Sequence, residues 1–179
     1  MNNLLLTVIA LKSQIHRHKL FEIILLTFLG VLMYVSQVIL AWLPNIEIVT
    51  VLIIVTTCLF GVKALCSVYI FAICEIATYG LGIWSINYLY VWTVLVLIVI
   101  LIKKVESKEI FALTAGIYGL CFGTLCSIPY FFMGVTAGIA NIISGFWFDI
   151  LHCIGNLITV YFLYEPFKKA LDWAKSRYK

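Results

Sequence analysis

The sequence predicts an all-α integral membrane protein of six transmembrane helices with both termini in the cytoplasm. Hydrophobic residues fill 64% of 179 positions and charged residues 11%, with a mean hydropathy of +1.13. A soluble domain sits near half apolar and a quarter charged, and a chain this small has too much surface to hide such an excess from water. The second observation is length: apolar runs recur on the scale of the about 20 residues that cross a bilayer. The third is charge order. All 12 lysines and arginines lie in the N-terminal segment, at Lys63, in the loop 103–108 or in the C-terminal tail, while the connections near 44–47, 80–87 and 129–137 hold none. Strict alternation of basic and non-basic connections, read by the positive-inside rule, gives an even number of spans with both ends inside.

Residues 1–19 read as a cationic amphipathic segment on the inner membrane face: the apolar stretch Leu4–Leu11 is short and is followed by Lys12, His16, Arg17, His18 and Lys19 rather than a cleavage site. Six spans follow. The first covers Leu20–Leu43 and stops at Pro44, and the second covers Ile48–Phe60 and ends at Gly61 and Lys63. The third, Ala64–Tyr79, ends in a glycine-rich turn at 80–82, and the fourth, Tyr88–Ile102, closes on Lys103 and Lys104. The fifth, Ile110–Ile128, stops at Pro129, and the sixth, Gly138–Tyr164, stops at Pro166, leaving 166–179 as a basic cytoplasmic tail. Spans two to four are short, which suits helices beside a cavity or with ends buried in protein. Cys58, Cys66, Cys74, Cys121, Cys126 and Cys153 sit in apolar runs without metal-ligand spacing, so they read as free thiols acting as small hydrophobes.

Polar groups inside the spans carry the functional signal, because a carboxylate at mid-bilayer costs roughly 2.5–3.5 kcal/mol on insertion scales. Glu47, Glu75 and Asp149 lie away from the cytoplasmic boundary. Asn141, Gly145, Asp149, His152 and Asn156 step along one face of span six, and Asp149 and His152 are close enough in sequence to meet on that face. A ligand or proton site and a polar seam tying helices together both fit this stripe. Glu75 lies 12 residues beyond Lys63, about 18 Å into the membrane. A meeting with His152 or Asp149 is therefore open to it. Glu47 fits either a cap on span two or a ligand contact. The aromatic residues Trp84, Tyr88, Tyr90, Trp92, Tyr130, Phe131 and Phe132 read as an interfacial belt, with a pocket for a flat ligand as the other use. Ala115, Gly119, Gly123 and Ser127 form a small-residue stripe on span five, suited to internal helix contacts or to docking a partner subunit.

The chain holds no GxxxxGK[ST] phosphate loop, no HExxH, no GxSxG and no repeating arginines. ATP hydrolysis, zinc proteolysis, serine hydrolysis and voltage sensing by their usual motifs are thereby excluded.

Four segments in order, LPNIEIVTVLIIV (43–55), GIWSINYLYVW (82–92), CSIPYFF (126–132) and FDILHCIGN (148–156), together resemble the substrate-binding S components of energy-coupling factor transporters. The resemblance covers residues 20–165. It implies a membrane-embedded, non-enzymatic subunit in a bacterial cell membrane that captures a vitamin from outside. It also implies three partner chains, a transmembrane coupling subunit and two cytoplasmic ATPases that use the ATP, with no cofactor or metal held here and no nucleic acid bound. Asn45, Glu47, Glu75, Trp84, Asn87, Tyr130, Asp149, His152 and Asn156 are the ligand contacts this resemblance nominates. Many members dock through an AxxxA-like pattern on helix 1. This chain departs from it and offers Gly30 and Ser36 there, with Ala115, Gly119 and Gly123 as a further docking stripe. Cobalamin is one vitamin in question, beside riboflavin, pantothenate, pyridoxine and queuosine precursors.

Three other classes compete. A proton- or ion-coupled secondary transporter would use Glu75, Asp149 and His152 as a relay. A small intramembrane enzyme would use His152 as base and Asp149 as its orienter. A structural membrane subunit would need none of the three.

Overall fold

Long runs of leucine, isoleucine and valine make helix the only economical backbone state where water is scarce, and glycines and short polar turns decide where each helix ends. The computed structural model describes residues 2–43 and 46–177, and they are all helix and turn, without strand. Helix α1 is Asn2–Leu40, α2 Val49–Phe60, α3 Ala64–Tyr79, α4 Ile83–Ile102, α5 Lys108–Cys126, the short α6 Ile128–Phe131, and α7 Val135–Ser176. Five stretches are long and apolar enough to cross a membrane: His16–Leu40, Val49–Tyr79, Ile83–Val105, Lys108–Phe131 and Val135–Ser176.

The stretch Val49–Tyr79 is two helices. Side-chain contacts pair Glu22 with Lys63, Leu26 with Ser67 and Tyr34 with Thr78, so α1 and α3 run in the same direction. Glu47 with His152 and Cys58 with Tyr164 set α2 parallel to α7. Gly123 with Asp149 and Ala115 with Asn156 set α5 antiparallel to α7, and Asn87 with Cys126 and Val91 with Tyr118 set α4 antiparallel to α5. Gln37 near the end of α1 meets Tyr88 near the start of α4, while Glu22 lies beside Lys63 just past the end of α2, so α1 and α3 run opposite to α2 and α4 and the chain reverses at Gly61–Lys63. Gly61 sits there at φ +60°, a conformation that favours glycine. Glu22 accepts from Lys63 Nζ at 2.8 Å beside the turn.

Helix α2 is the central rod: every residue from Val49 to Thr57 is buried. With 12 residues it is about 18 Å long, short of the about 30 Å hydrocarbon core, and neighbouring helices cover it. Lys175 Nζ donates to the Leu59 carbonyl at 2.7 Å, satisfying an orphan acceptor at its C-terminal end. The outer helix faces are the reverse, with Ile73, Leu101, Trp147 and Phe162 each more than 60% exposed, as a lipid-facing surface requires.

Three boundaries differ from expectation by five residues or more. Helix α1 runs unbroken from Asn2, so residues 2–19 continue span one instead of separating from it; nothing before Gly30 is a glycine or proline that would break the rod. Helix α4 begins five residues before the expected Tyr88, because Gly82 and Ser85 exchange hydrogen bonds and start it at Ile83. Helix α7 passes through Pro166 to Ser176: good helix formers follow the proline, Leu171 is buried, and Lys175 is tied to α2. Helix α3 has the expected bounds, Ala64–Tyr79. All six cysteines are free.

Candidate functional site

A cavity of about 430 Å³ opens between the last turn of α1, the connection that leads into α2, and helices α3, α4, α5 and α7. Its polar lining is Gln37, Glu47, Glu75 and His152, and its aromatic walls are Tyr79, Tyr88, Trp92 and Phe122. Leu40, Ala41, Leu43 and Ile46 close the side toward the connection after α1.

Each polar side chain is placed by a local cause. Glu47 stands just before α2, and its Oε2 accepts from the Thr50 backbone N–H at 2.8 Å, satisfying one of the free donors at a helix start. Its Oε1 is 3.5 Å from His152 Nε2. The cap and the site contact are thus the two ends of one carboxylate. His152 is 4% exposed, with the Phe122 ring edge-on at 4.8 Å between centroids. Gln37 Nε2 donates to the Tyr88 hydroxyl at 3.0 Å, which holds Tyr88 against Trp92 and Phe71 at 5.8 and 5.6 Å.

Glu75 is different. It is 4% exposed, lines the cavity, and its buried Oε1 has no hydrogen-bond partner. Trp92, 2% exposed on the same wall, has its indole N–H equally without an acceptor. A buried unmatched polar atom costs about 1–3 kcal/mol, more when charged. Both residues border the cavity, while the two unmatched atoms are themselves buried in its wall.

The structure brings Glu47, Glu75 and His152 to this cavity and places the other nominated contacts that it describes elsewhere. Asp149 Oδ1 accepts from the Gly123 backbone N–H at 2.8 Å. Ser127 Oγ donates to the Gly123 carbonyl at 2.7 Å and accepts from Asn141 Nδ2 at 2.9 Å. This is the seam reading of the span-six stripe: Asn141, Ser127, Gly123 and Asp149 stitch α5 to α7. Asn156, fully buried, continues the seam through Nδ2 to the Ala115 carbonyl at 3.4 Å. Asn87 donates to the Cys126 carbonyl and accepts from Tyr90. Trp84 is half-buried with its ring edge-on to Tyr88, and half-buried Tyr130 lies in the α6 turn; neither lines the cavity. Asn45 lies outside the described residues.

The five nominated docking positions also face inward, because small residues here let helices of the same chain touch. A Cβ on Gly30 would lie 2.6 Å from the Ser67 carbonyl oxygen, one on Gly119 2.8 Å from that of His152, and one on Gly123 2.5 Å from Asp149 Oδ2. Ala115 is fully buried, and Ser36, 6% exposed, donates to the Met33 carbonyl. Within this chain these residues serve contacts between its own helices.

Five polar or aromatic lining residues went unnominated: Gln37, Tyr79, Tyr88, Trp92 and Phe122. Gln37 carried a legible signal, an amide inside an apolar span, and Trp92 stood in the aromatic cluster. Phe122 in an apolar run carried none.

The chain matches no family model, no curated protein and no solved structure.

Proposed function

We propose that this chain is the membrane-embedded substrate-binding subunit of an energy-coupling factor type importer, capturing a vitamin-like micronutrient for uptake driven by partner ATPases. In this reading α1 to α5 and α7 are six spans, with both termini in the cytoplasm of a bacterial cell. The cavity then lies toward the outer face, since Lys63, Lys103 and Lys175 gather at the opposite ends of the helices.

The observation that carries the reading is Glu75: a carboxylate retained inside an apolar bundle, on a ligand-sized cavity, with an oxygen that no described residue satisfies. The aromatic walls supply stacking faces and the carboxylates and imidazole supply polar recognition, the composition of a small-molecule pocket. At about 430 Å³, near the lower end of the roughly 300–1,000 Å³ such pockets span, the cavity favours a mono- or bicyclic ligand over cobalamin. Energy comes from a transmembrane coupling subunit and two ATPases.

The cluster of Glu47, His152 and Glu75 on one cavity favours, as a second reading, a proton-coupled transporter. The enzyme reading gains no such support, since Asp149 is held by Gly123 and His152 faces Glu47. The two transport readings part in uptake assays with the compound released from the denatured chain. The importer loses uptake when its ATPases are inactivated and keeps it when the proton gradient is collapsed. The opposite pattern establishes the proton-coupled transporter.

A further inference from the structure

We propose that the cavity selects a flat, cationic nitrogen heterocycle, with an N–H group of the ligand donating to Glu75 and the ring held among Tyr79, Tyr88 and Trp92. The proposal rests on the binding-subunit reading and names the ligand class for it.

The charge inventory of the lining comes first. Glu47 and Glu75 both border the cavity, and among the described residues no lysine or arginine does. The one basic lining group is His152, which already faces Glu47 at 3.5 Å. His152 can therefore compensate at most one carboxylate, and its partner is the one that also caps α2. Glu75 is left without a counter-charge and with Oε1 unmatched. An ionised carboxylate in an apolar interior is costly unless it is paired and hydrogen-bonded. A cationic N–H donor supplies both pairing and hydrogen bond, and charge-assisted bonds are about twice as strong as neutral ones. An anionic ligand such as a carboxylate or phosphate ester would meet two carboxylates with no cation free to receive it.

Shape comes from the walls. Tyr88 stands edge-on to Trp92, with interplanar angle 89° and centroids 5.8 Å apart, so the two rings present faces in two directions. Aromatic faces attract cations within about 6 Å of the ring centroid, which adds to the preference of Glu75. The aliphatic side chains of Leu40, Leu43 and Ile46 close the remaining side and offer a highly hydrated group nothing to bind.

Three near-isosteric probes test the charge rule on the detergent-purified full chain: 4-aminoquinoline, protonated at neutral pH; 4-methylquinoline, neutral and without an N–H donor; and quinoline-4-carboxylate, an anion. Binding is read by thermal shift and by quenching of tryptophan fluorescence. The expected order is cation, then neutral, then anion, with Glu75→Gln reducing the affinity for 4-aminoquinoline about 10–100-fold, the range for a hydrogen bond to a charged group, and leaving 4-methylquinoline within about threefold. Should Glu75→Gln not fold, the order of the three probes on the unaltered chain decides alone. Equal or tighter binding of the carboxylate or the methyl probe overturns the cationic class and leaves the binding-subunit reading standing. Binding of none of the three by a folded, empty chain overturns the proposal and removes the support of the cavity for that reading as well.

Discussion

Glu47 and His152, 105 residues apart in sequence, meet with Oε1 and Nε2 3.5 Å from each other, and the same carboxylate caps α2 through Thr50. The contact fixes the start of the buried helix α2 against α7, so it positions one edge of the cavity. Glu47→Ala removes both bonds and is expected to cost about 1–2 kcal/mol, the usual range for a lost N-cap. Glu47→Gln keeps the acceptor for Thr50 and costs less. A double-mutant cycle with His152→Ala, read by thermal unfolding in detergent, should give a coupling energy above about 0.5 kcal/mol; additive effects would show that the pair does not interact.

The bond from the Gly123 N–H to Asp149 predicts that Asp149 contributes to stability and not to ligand affinity. Asp149→Asn can still accept from Gly123 through its amide oxygen and is expected to fold and to bind ligand within about threefold of the parent. Asp149→Ala leaves that acceptor empty and should destabilise by about 1–3 kcal/mol. A selective loss of ligand affinity in Asp149→Asn, with unfolding temperature unchanged, would return Asp149 to the binding site.

Gly119 lies against the α7 backbone, where an added Cβ would come within 3.0 Å of three main-chain atoms. Gly119→Ala should cost about 1–3 kcal/mol, the usual penalty for overfilling a close contact, and Gly119→Leu should prevent folding of the isolated chain. A docking role predicts instead that both variants fold normally and fail only with the coupling subunit.

Six spans with both ends inside predict a labelling pattern. On a cysteine-free background, Leu81→Cys and Met133→Cys should react with a membrane-impermeant thiol reagent from outside, and Lys63→Cys and Val105→Cys only after permeabilisation. All four positions sit at helix ends and are exposed. Outside labelling at residue 63 would mean that Val49–Tyr79 does not cross twice.

The architecture was legible wherever one local force decides. Charge order separated the spans, glycine and lysine marked the turn after α2, and the bounds of α3 were readable to the residue. Pro166 misled, because buried Leu171 and the bond from Lys175 to Leu59 hold the helix beyond it. At the site, Glu75, Glu47 and His152 were readable, since a carboxylate or a lone histidine in an apolar span needs a reason. Asp149 and Asn156 carried the same signal for another reason, the α5–α7 seam, and no helical spacing tells a seam from a pocket wall. Phe122 and Tyr79 join the cavity only through the tertiary arrangement.

Glu75 also gives the most direct test of the central claim, that the cavity holds a small molecule. Unaltered chain and Glu75→Gln are purified in parallel from cells grown in rich medium, checked for equal folding, denatured, and the released compounds weighed by mass spectrometry. The account predicts a near-equimolar compound from the unaltered chain and its loss or strong depletion from Glu75→Gln. Equal amounts of the same compound from both, or none from a folded unaltered chain, would contradict it.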